Sequence, residues 1–255
     1  MPLISTEAII LQTFAYSETS KILRLLTRTH GVRSAIARGA LRPRSRYGGV
    51  LEPFSVGTAT LYLKDGRELQ TLSAFELGHS GQALGRDLVR FGAASLLAEL
   101  VLRTASEEAD IGRFTQLRGA LMRLEAAEPA RLEAVALGEA WAMIARLGFA
   151  PALETCSGCG RTLDAAEPAV FDYAAGTVRC GACAPALGPE QGRSLPGHAR
   201  MALLCFCRGE PAAPERTAAH WALLSRFLAH HVLEGGSLRS LEFLSEAIER
   251  RACAG

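Results

Sequence analysis

The chain is poor in lysine, in aromatic side chains and in long uncharged runs. Its longest stretch without a charged residue is eleven residues, Pro53 to Leu63. A membrane-spanning helix needs about twenty apolar residues, so no span is expected. The start of the chain has no basic, then apolar, then small-residue succession, and Glu7 precedes any basic residue. A secretory signal is therefore not expected, and a cytoplasmic location is. The glycine patterns GxGxxG and GxxxxGK before Ser or Thr are absent. So are the GxSxG nucleophile elbow and the His-x-Glu of zinc deaminases. These gaps exclude the corresponding nucleotide, hydrolase and deaminase chemistries. With 255 residues, 49% of them apolar, the chain can bury one large core or two ordinary ones.

The formal net charge of +2 is an average over unlike parts. Residues 1–78 hold ten basic and six acidic residues; residues 79–255 hold eighteen and twenty. From Ser20 to Leu51 there are eight basic residues and no acid: Lys21, Arg24, Arg28, Arg33, Arg38, Arg42, Arg44 and Arg46. An unopposed basic stretch in a folded segment attracts polyanions, because each cation placed on a phosphate releases a condensed counterion. Arginine also forks onto phosphate oxygens and stacks on bases. An ordinary solvated basic face is the plainer reading of the same residues. The excess of 26 Arg over 2 Lys carries little weight, since an Ala- and Arg-rich chain often reflects coding bias.

The first part reads as short strands. Glu7 to Phe14, Ile22 to Arg28, Val32 to Arg38, Phe54 to Tyr62 and Leu69 to Leu77 are apolar or alternating runs separated by turn residues. Lys64 to Arg67 is a hairpin signal, and Pro43 to Gly49 reads as an exposed loop. Five strands in under eighty residues suit a small barrel, and the five-stranded oligonucleotide-binding (OB) fold is the economical choice. Near Gly85 the period changes. Asp87 to Thr104 reads as a buried helix, and Phe114, Leu117, Leu121 and Leu124 mark an amphipathic one. Pro129 stands where another helix should begin and Gly148 where it should stop. Trp221, Leu224, Leu228 and Val232 form a stripe on a later helix that should end at Gly235-Gly236.

Cys156-x-x-Cys159, twenty residues, then Cys180-x-x-Cys183 is the sharpest local signal. A two-residue spacer lets both sulfurs of a turn face one ion, and two such turns complete a tetrahedral thiolate shell. Gly158, Gly160 and Gly181 suit the tight backbone of those turns. Val170, Phe171, Tyr173 and Val178 suit a hairpin between them. One structural zinc ion is the expected cofactor. A pair of redox dithiols and a disulfide set are the alternatives. Four cysteine ligands leave no open position, so no catalytic metal is expected. Cys205, Cys207 and Cys253 read as small hydrophobes or a tail residue. His220, His230 and His231 read as packing or surface groups. Glu107, Glu108 and Glu249 read as solvated helical carboxylates, with no clustered metal-ligand spacing.

The order of these features, more than any one of them, resembles the RecO family of bacterial recombination and repair proteins. The strings that carry the likeness begin with Glu7-Ala-Ile-Ile-Leu-Gln-Thr, Tyr16-Ser-Glu-Thr-Ser-Lys21 and Leu26-Thr-Arg-Thr-His-Gly31. Ala37-Arg-Gly39-Ala and Arg44-Ser-Arg46-Tyr-Gly-Gly-Val-Leu-Glu-Pro-Phe54 follow. Then come Leu147-Gly-Phe, the two cysteine pairs, Leu228-Ala-His-His-Val-Leu and Leu238-Arg-Ser-Leu-Glu-Phe-Leu244. The resemblance implies an α+β multidomain chain. Residues 1–79 would form the OB-fold β-barrel, and residues 80–255 an all-helical domain with a zinc-ribbon-like insertion at about 152–187. It implies a non-enzymatic protein that binds single- and double-stranded DNA and anneals complementary strands at the nucleoid. The implied partners are RecR, in many bacteria RecF, and the single-stranded-DNA-binding protein that RecA must displace.

On this reading Arg42, Arg44 and Arg46 lie in a loop able to reach a second strand. Phe14, Tyr16, Tyr47, Phe54 and Tyr62 are the nearby rings; several are expected to face the core, so stacking should contribute less than in a dedicated single-strand binder. Partner docking is expected on the acidic, helical remainder. The competing classes are a zinc-ribbon transcription accessory factor and an enzyme, either a metal hydrolase or a dithiol oxidoreductase.

Overall fold

The computed structural model describes residues 2–64, 66–104, 108–188, 190–233 and 236–254. Asp65 of the expected hairpin turn, Glu107 and Gly235 lie outside the described residues. The chain divides into two compact units, Met1–Ala126 and Ala127–Gly255. Compactness thus divides it after the second helix, not at the change of period near residue 80. Strand-to-helix change and compactness differ here because two helices pack with the sheet that precedes them.

In the first unit, five strands run over Leu3–Ala15 (β1), Lys21–Thr27 (β2), Gly31–Ala37 (β3), Val56–Tyr62 (β4) and Leu69–His79 (β5). They pair in the order β1-β2-β3-β5-β4, and β4 pairs back onto β1, so the sheet closes on itself. Only the β3–β5 pairing is parallel. Period-two alternation explains the inner face: Ala8, Ile10, Leu23, Leu25, Ala35, Ala37, Ala59, Leu61 and Leu72 are buried together. Small alanines alternate with leucine and isoleucine, which lets a narrow interior fill without voids.

Two residues of the long β3–β4 connection depart from the sequence reading. Tyr47, inside the stretch expected as an exposed loop, is 3% exposed and donates its hydroxyl to the Leu72 carbonyl at 2.8 Å. It fastens that loop to the core. Phe54 does not begin a strand; it takes φ +67, the one positive φ outside glycine among the described residues. The register of β1 shifts between Ile10 and Gln12. There the Phe54 N–H donates to the Ile10 carbonyl at 2.7 Å, and the Ile10 N–H to the Ser55 carbonyl at 2.9 Å. The buried Phe54 ring meets Phe91 edge-on at 5.7 Å, which holds the left-handed backbone in place.

Two helices, α1 (Leu88–Thr104) and α2 (Ile111–Ala126), complete this unit. Asp87 caps α1 by accepting the Val89 and Arg90 N–H groups, each at 2.9 Å. Arg90 donates to the Leu124 carbonyl at 2.9 Å and to that of Glu125, covering the free carbonyls at the end of α2.

The second unit is not purely helical. Helices α3 (Leu132–Ile144), α4 (Gly197–Cys207), α5 (Thr217–His231) and α6 (Arg239–Ala254) accompany a four-stranded sheet. Its strands are β6 (Ala152–Cys156), β7 (Ala169–Asp172), β8 (Thr177–Arg179) and β9 (Gly192–Leu195), in the order β6-β8-β7-β9. β9 falls beyond residue 187, where the insertion was expected to end. Helix α3 begins at Leu132, not at Pro129, because Glu128 to Arg131 form a separate turn closed by the Arg131 N–H on the Glu128 carbonyl at 2.9 Å. The α-helix itself ends at Ile144, before Gly148, which takes φ +90 inside a wider π-turn over Ala145–Phe149. The Trp141 and Phe171 rings pack on Phe227 at 5.1 and 6.2 Å, joining the sheet to α3 and α5. No described helix is long and apolar enough to cross a membrane.

Candidate metal centre and basic surface

The two cysteine pairs sit at matching places on the small sheet. Cys156 ends β6, and the chain turns back through a bridge between Thr155 and Thr162. The Gly160 N–H donates to the Cys156 carbonyl at 2.8 Å, with Gly160 at φ +74. Cys180 follows β8, and a turn closes with the Cys183 N–H on the Cys180 carbonyl at 3.0 Å. β6 and β8 are parallel neighbours, so both turns leave the sheet at one end. That juxtaposition brings together residues 24 positions apart.

The four sulfurs lie within 4.8 Å of one another, and Cys159 Sγ is 4.0 Å from Cys180 Sγ. A zinc–sulfur bond of about 2.3 Å implies tetrahedron edges of about 3.8 Å, so the set fits one ion with small adjustments. Cys156 and Cys180 are buried, Cys183 is half-buried and Cys159 exposed. Backbone N–H groups of Cys180 and Gly158 donate to Cys156 Sγ at 3.3 and 3.4 Å. The Cys180 N–H foremost lowers the Cys156 thiol to about 6. The Cys180 thiol is lowered chiefly by the Cys183 N–H, with Arg161 adding to the effect. Cys183 is pushed up to about 12, chiefly by the Cys180 sulfur. On balance the neighbouring sulfurs thus oppose ionisation at Cys183, and a bound cation would favour its thiolate as well.

Of the three glycines singled out, two are required and one is not. A Cβ on Gly158 would lie 2.9 Å from Cys183 Sγ, and Gly160 needs its positive φ. A Cβ on Gly181 would meet nothing within 4 Å.

Sequence reasoning missed Arg200. Its side chain on α4 is 1% exposed and donates to the Leu153 carbonyl at 2.8 Å. It also donates to the carbonyls of Asp164, Ala165 and Glu167. One guanidinium thus binds β6 and the chain that follows the first cysteine turn to helix α4. The planar five-donor fork of arginine is the signal, but only the fold brings its acceptors together. Cys205 and Cys207 are half-buried and stand apart from the four-sulfur cluster; Cys253 is exposed.

The eight basic candidates fall into distinct environments. Lys21 pairs with Glu52 at 2.9 Å and is mostly buried. Arg28 pairs with Glu7 at 2.6 Å, and Arg118 of α2 shares that carboxylate at 3.0 Å. The stretch lacks acids in sequence, but folding brings two to it. Arg24 lies half-buried on β2, and Arg33 half-buried on β3. Arg38, Arg42, Arg44 and Arg46 are exposed on the connection after β3. Arg46 stacks on the Tyr47 ring at 5.0 Å. Of the five rings, Tyr47 and Phe54 are buried, whereas Phe14, Tyr16 and Tyr62 are 50%, 60% and 39% exposed. Lys64 and Arg67, not among the candidates, line a shallow basic hollow with Arg33. The buried Gln70 orders that turn, accepting from the Lys64 N–H at 2.9 Å and donating to the Lys64 and Arg67 carbonyls.

Two family descriptions match this chain: "Recombination protein O N terminal" over residues 1–80 and "Recombination protein O C terminal" over residues 85–242. The chain is 33% identical to the "DNA repair protein RecO" of Anaeromyxobacter dehalogenans, over 96% of this chain and 97% of that one. It is 31% identical to the protein of the same name from a Nocardioides species, over 93% and 97%. For the one from Bifidobacterium longum the figures are 33%, over 71% and 74%.

Proposed function

The chain belongs to the RecO family, and from that premise we propose that it serves DNA repair as a non-enzymatic protein that binds and anneals DNA strands. The observation that carries the reading is the exposed row Arg38, Arg42, Arg44 and Arg46 on a connection held to the sheet by Tyr47. The closed order β1-β2-β3-β5-β4 fits an OB-fold, and we assign residues 1–79 to that DNA-binding barrel. Residues 80–255, with their net acidic balance, take the partner contacts: RecR, the single-stranded-DNA-binding protein and RecF. The outcome is RecA loaded on single strands in the cytoplasm, at the nucleoid.

Annealing needs two repelling polyanions to meet. Arginines on phosphates release counterions and screen that repulsion over the short range of a Debye length, about 8 Å at physiological salt. No covalent bond changes, so no catalytic residue is required. Contacts to backbone phosphates carry little sequence information.

Cys156, Cys159, Cys180 and Cys183 are proposed to hold one structural zinc ion in the ribbon-like part at about 152–187. The all-sulfur donor set suits that metal. When bound, the ion supplies cross-linking of the two turns. With four protein ligands it has no open position for a reactant.

The test is annealing of complementary oligonucleotides coated with single-stranded-DNA-binding protein. The expected result is faster pairing than in its absence, together with recovery of a RecR-like protein in pull-downs. No acceleration would overturn the annealing reading, and recovery of RNA polymerase in place of RecR would favour a transcription factor. Replacing Arg42, Arg44 and Arg46 by Ala should weaken binding and flatten its salt dependence; unchanged affinity and slope would refute their role.

A further inference from the structure

Phe14 and Tyr16 are large rings left half or more in water at the tip of the β1–β2 hairpin. The register explains the exposure. On β2, Leu23 and Leu25 face the core, so Ile22 and Arg24 face outward. Phe14 pairs with Ile22, and Gln12 with Arg24, so ring and guanidinium are diagonal neighbours on one outer face. Across the next pairing that face continues through Ser34 and Ile36. At the tip, the Tyr16 N–H donates to the Ser20 carbonyl at 2.9 Å, and the Leu41 N–H to the Thr19 carbonyl at 3.0 Å. The second bond draws the arginine-bearing connection against the hairpin. Arg38 and Arg42 flank Leu41, which is itself 42% exposed. The outer face thus carries Phe14 and Arg24, and beside the hairpin tip stand the exposed Tyr16, Leu41, Arg38 and Arg42. Glu18 is the one acid at the tip. Arg24 Nε is buried with no hydrogen-bond partner among the described residues.

We infer that Phe14 and Tyr16 stack unpaired bases while Arg24, Arg38 and Arg42 hold the adjoining phosphates, so that this face prefers single strands to duplex. The inference rests on the reading of this unit as a DNA binder and adds the strand preference to it. Every base has a π-face, so stacking tolerates any sequence. Within a duplex those faces are covered by neighbouring bases and are closed to the protein. The rings thus give up their hold as soon as two strands pair. Phosphate contacts alone would retain the product; surrendering the stacking contacts releases it. Tyr47 and Phe54 are buried, in keeping with several rings facing the core, but the exposed Phe14 and Tyr16 give stacking a larger share than expected.

The experiment measures binding by full-length protein to three oligonucleotides of equal length: a thymine single strand, a single strand carrying abasic positions, and a duplex. The F14A/Y16A variant should lose roughly tenfold or more in affinity for the thymine strand. Its binding to the abasic strand and the duplex should stay within about twofold, with the salt slope unchanged. Tyr16→Phe should retain wild-type affinity, because the ring is kept. Equal losses on all three ligands, or no loss on any, would overturn the inference. Failure of the wild-type protein to bind any of them would instead overturn the reading of the unit as a DNA binder.

Discussion

Cys156 and Cys180 in the second unit are buried, with two backbone N–H groups donating to Cys156 Sγ, whereas Arg42 and Arg44 in the first are exposed with no ion pair among the described residues. Both sets are candidate binding residues, yet the physics that holds them differs. The sulfurs converge on a point, so each position constrains the others. The arginines spread over a surface, where each acts almost independently through its own screened charge. A perturbation of the first set should therefore register as lost structure, and of the second as lost affinity with structure intact.

The largest expected effect follows from removing a sulfur. Cys180→Ser should abolish stoichiometric zinc in metal analysis and cost the second unit more than about 4 kcal/mol, as loss of a structural metal does. DNA binding through the first unit should survive at moderate temperature. A variant that kept both its zinc and its melting temperature would break the contrast at its root.

Arg200→Ala comes next. It removes a buried guanidinium that four carbonyls share, leaving the buried Leu153 carbonyl among them without its donor. Denaturant unfolding should show a loss of about 3 kcal/mol. Arg200→Lys should recover little, since a single ammonium cannot reach the same spread of acceptors.

A matched glycine pair gives a finer cut. Gly158→Ala places a methyl 2.9 Å from Cys183 Sγ, and about 1–3 kcal/mol of stability in the metal-loaded protein should go with it. Gly181→Ala meets open space and should be neutral within about 0.5 kcal/mol. Equal effects would mean that the turn yields freely and that the sulfur cluster is less tightly specified than its geometry implies.

Legibility from sequence follows the same division. The cysteine spacing is local, so the motif alone picks out all four cysteines that the fold clusters. Strand periodicity likewise marked β1 to β5 to within a few residues. What escaped was whatever depended on distant chain. β9 is four residues of ordinary composition, and only its pairing with β7 makes it a strand. Arg200 looks like any helical arginine until β6 and residues 164–167 supply its acceptors. Phe54 is left-handed because β1 shifts register opposite it, which no propensity encodes. The acid-free basic stretch was true of the sequence and misleading about the surface, because the closed sheet sets Glu7 and Glu52 beside Arg28 and Lys21.

That last misreading yields the smallest structural effect and the most direct probe of the basic surface. Arg28 is exposed and Glu7 half-buried, so their pair contributes at most about 1 kcal/mol after solvent screening. Arg28 must give up that carboxylate before it can serve a phosphate, whereas Arg42 and Arg44 give up only water. Replacing Arg42 and Arg44 by Ala should therefore lower the single-strand salt slope by about 1.4, at about 0.7 per phosphate contact. Replacing Lys21 and Arg28 should lower it by less while costing more stability. The reverse experiment is cleaner. Glu7→Gln frees Arg28 and Arg118 together, so affinity for DNA should rise and its salt dependence steepen, with the melting temperature nearly unmoved. Unchanged affinity and slope on titration with oligonucleotide at several salt concentrations would place DNA away from this edge of the sheet, and would confine the electrostatic contact to the connection that Tyr47 anchors.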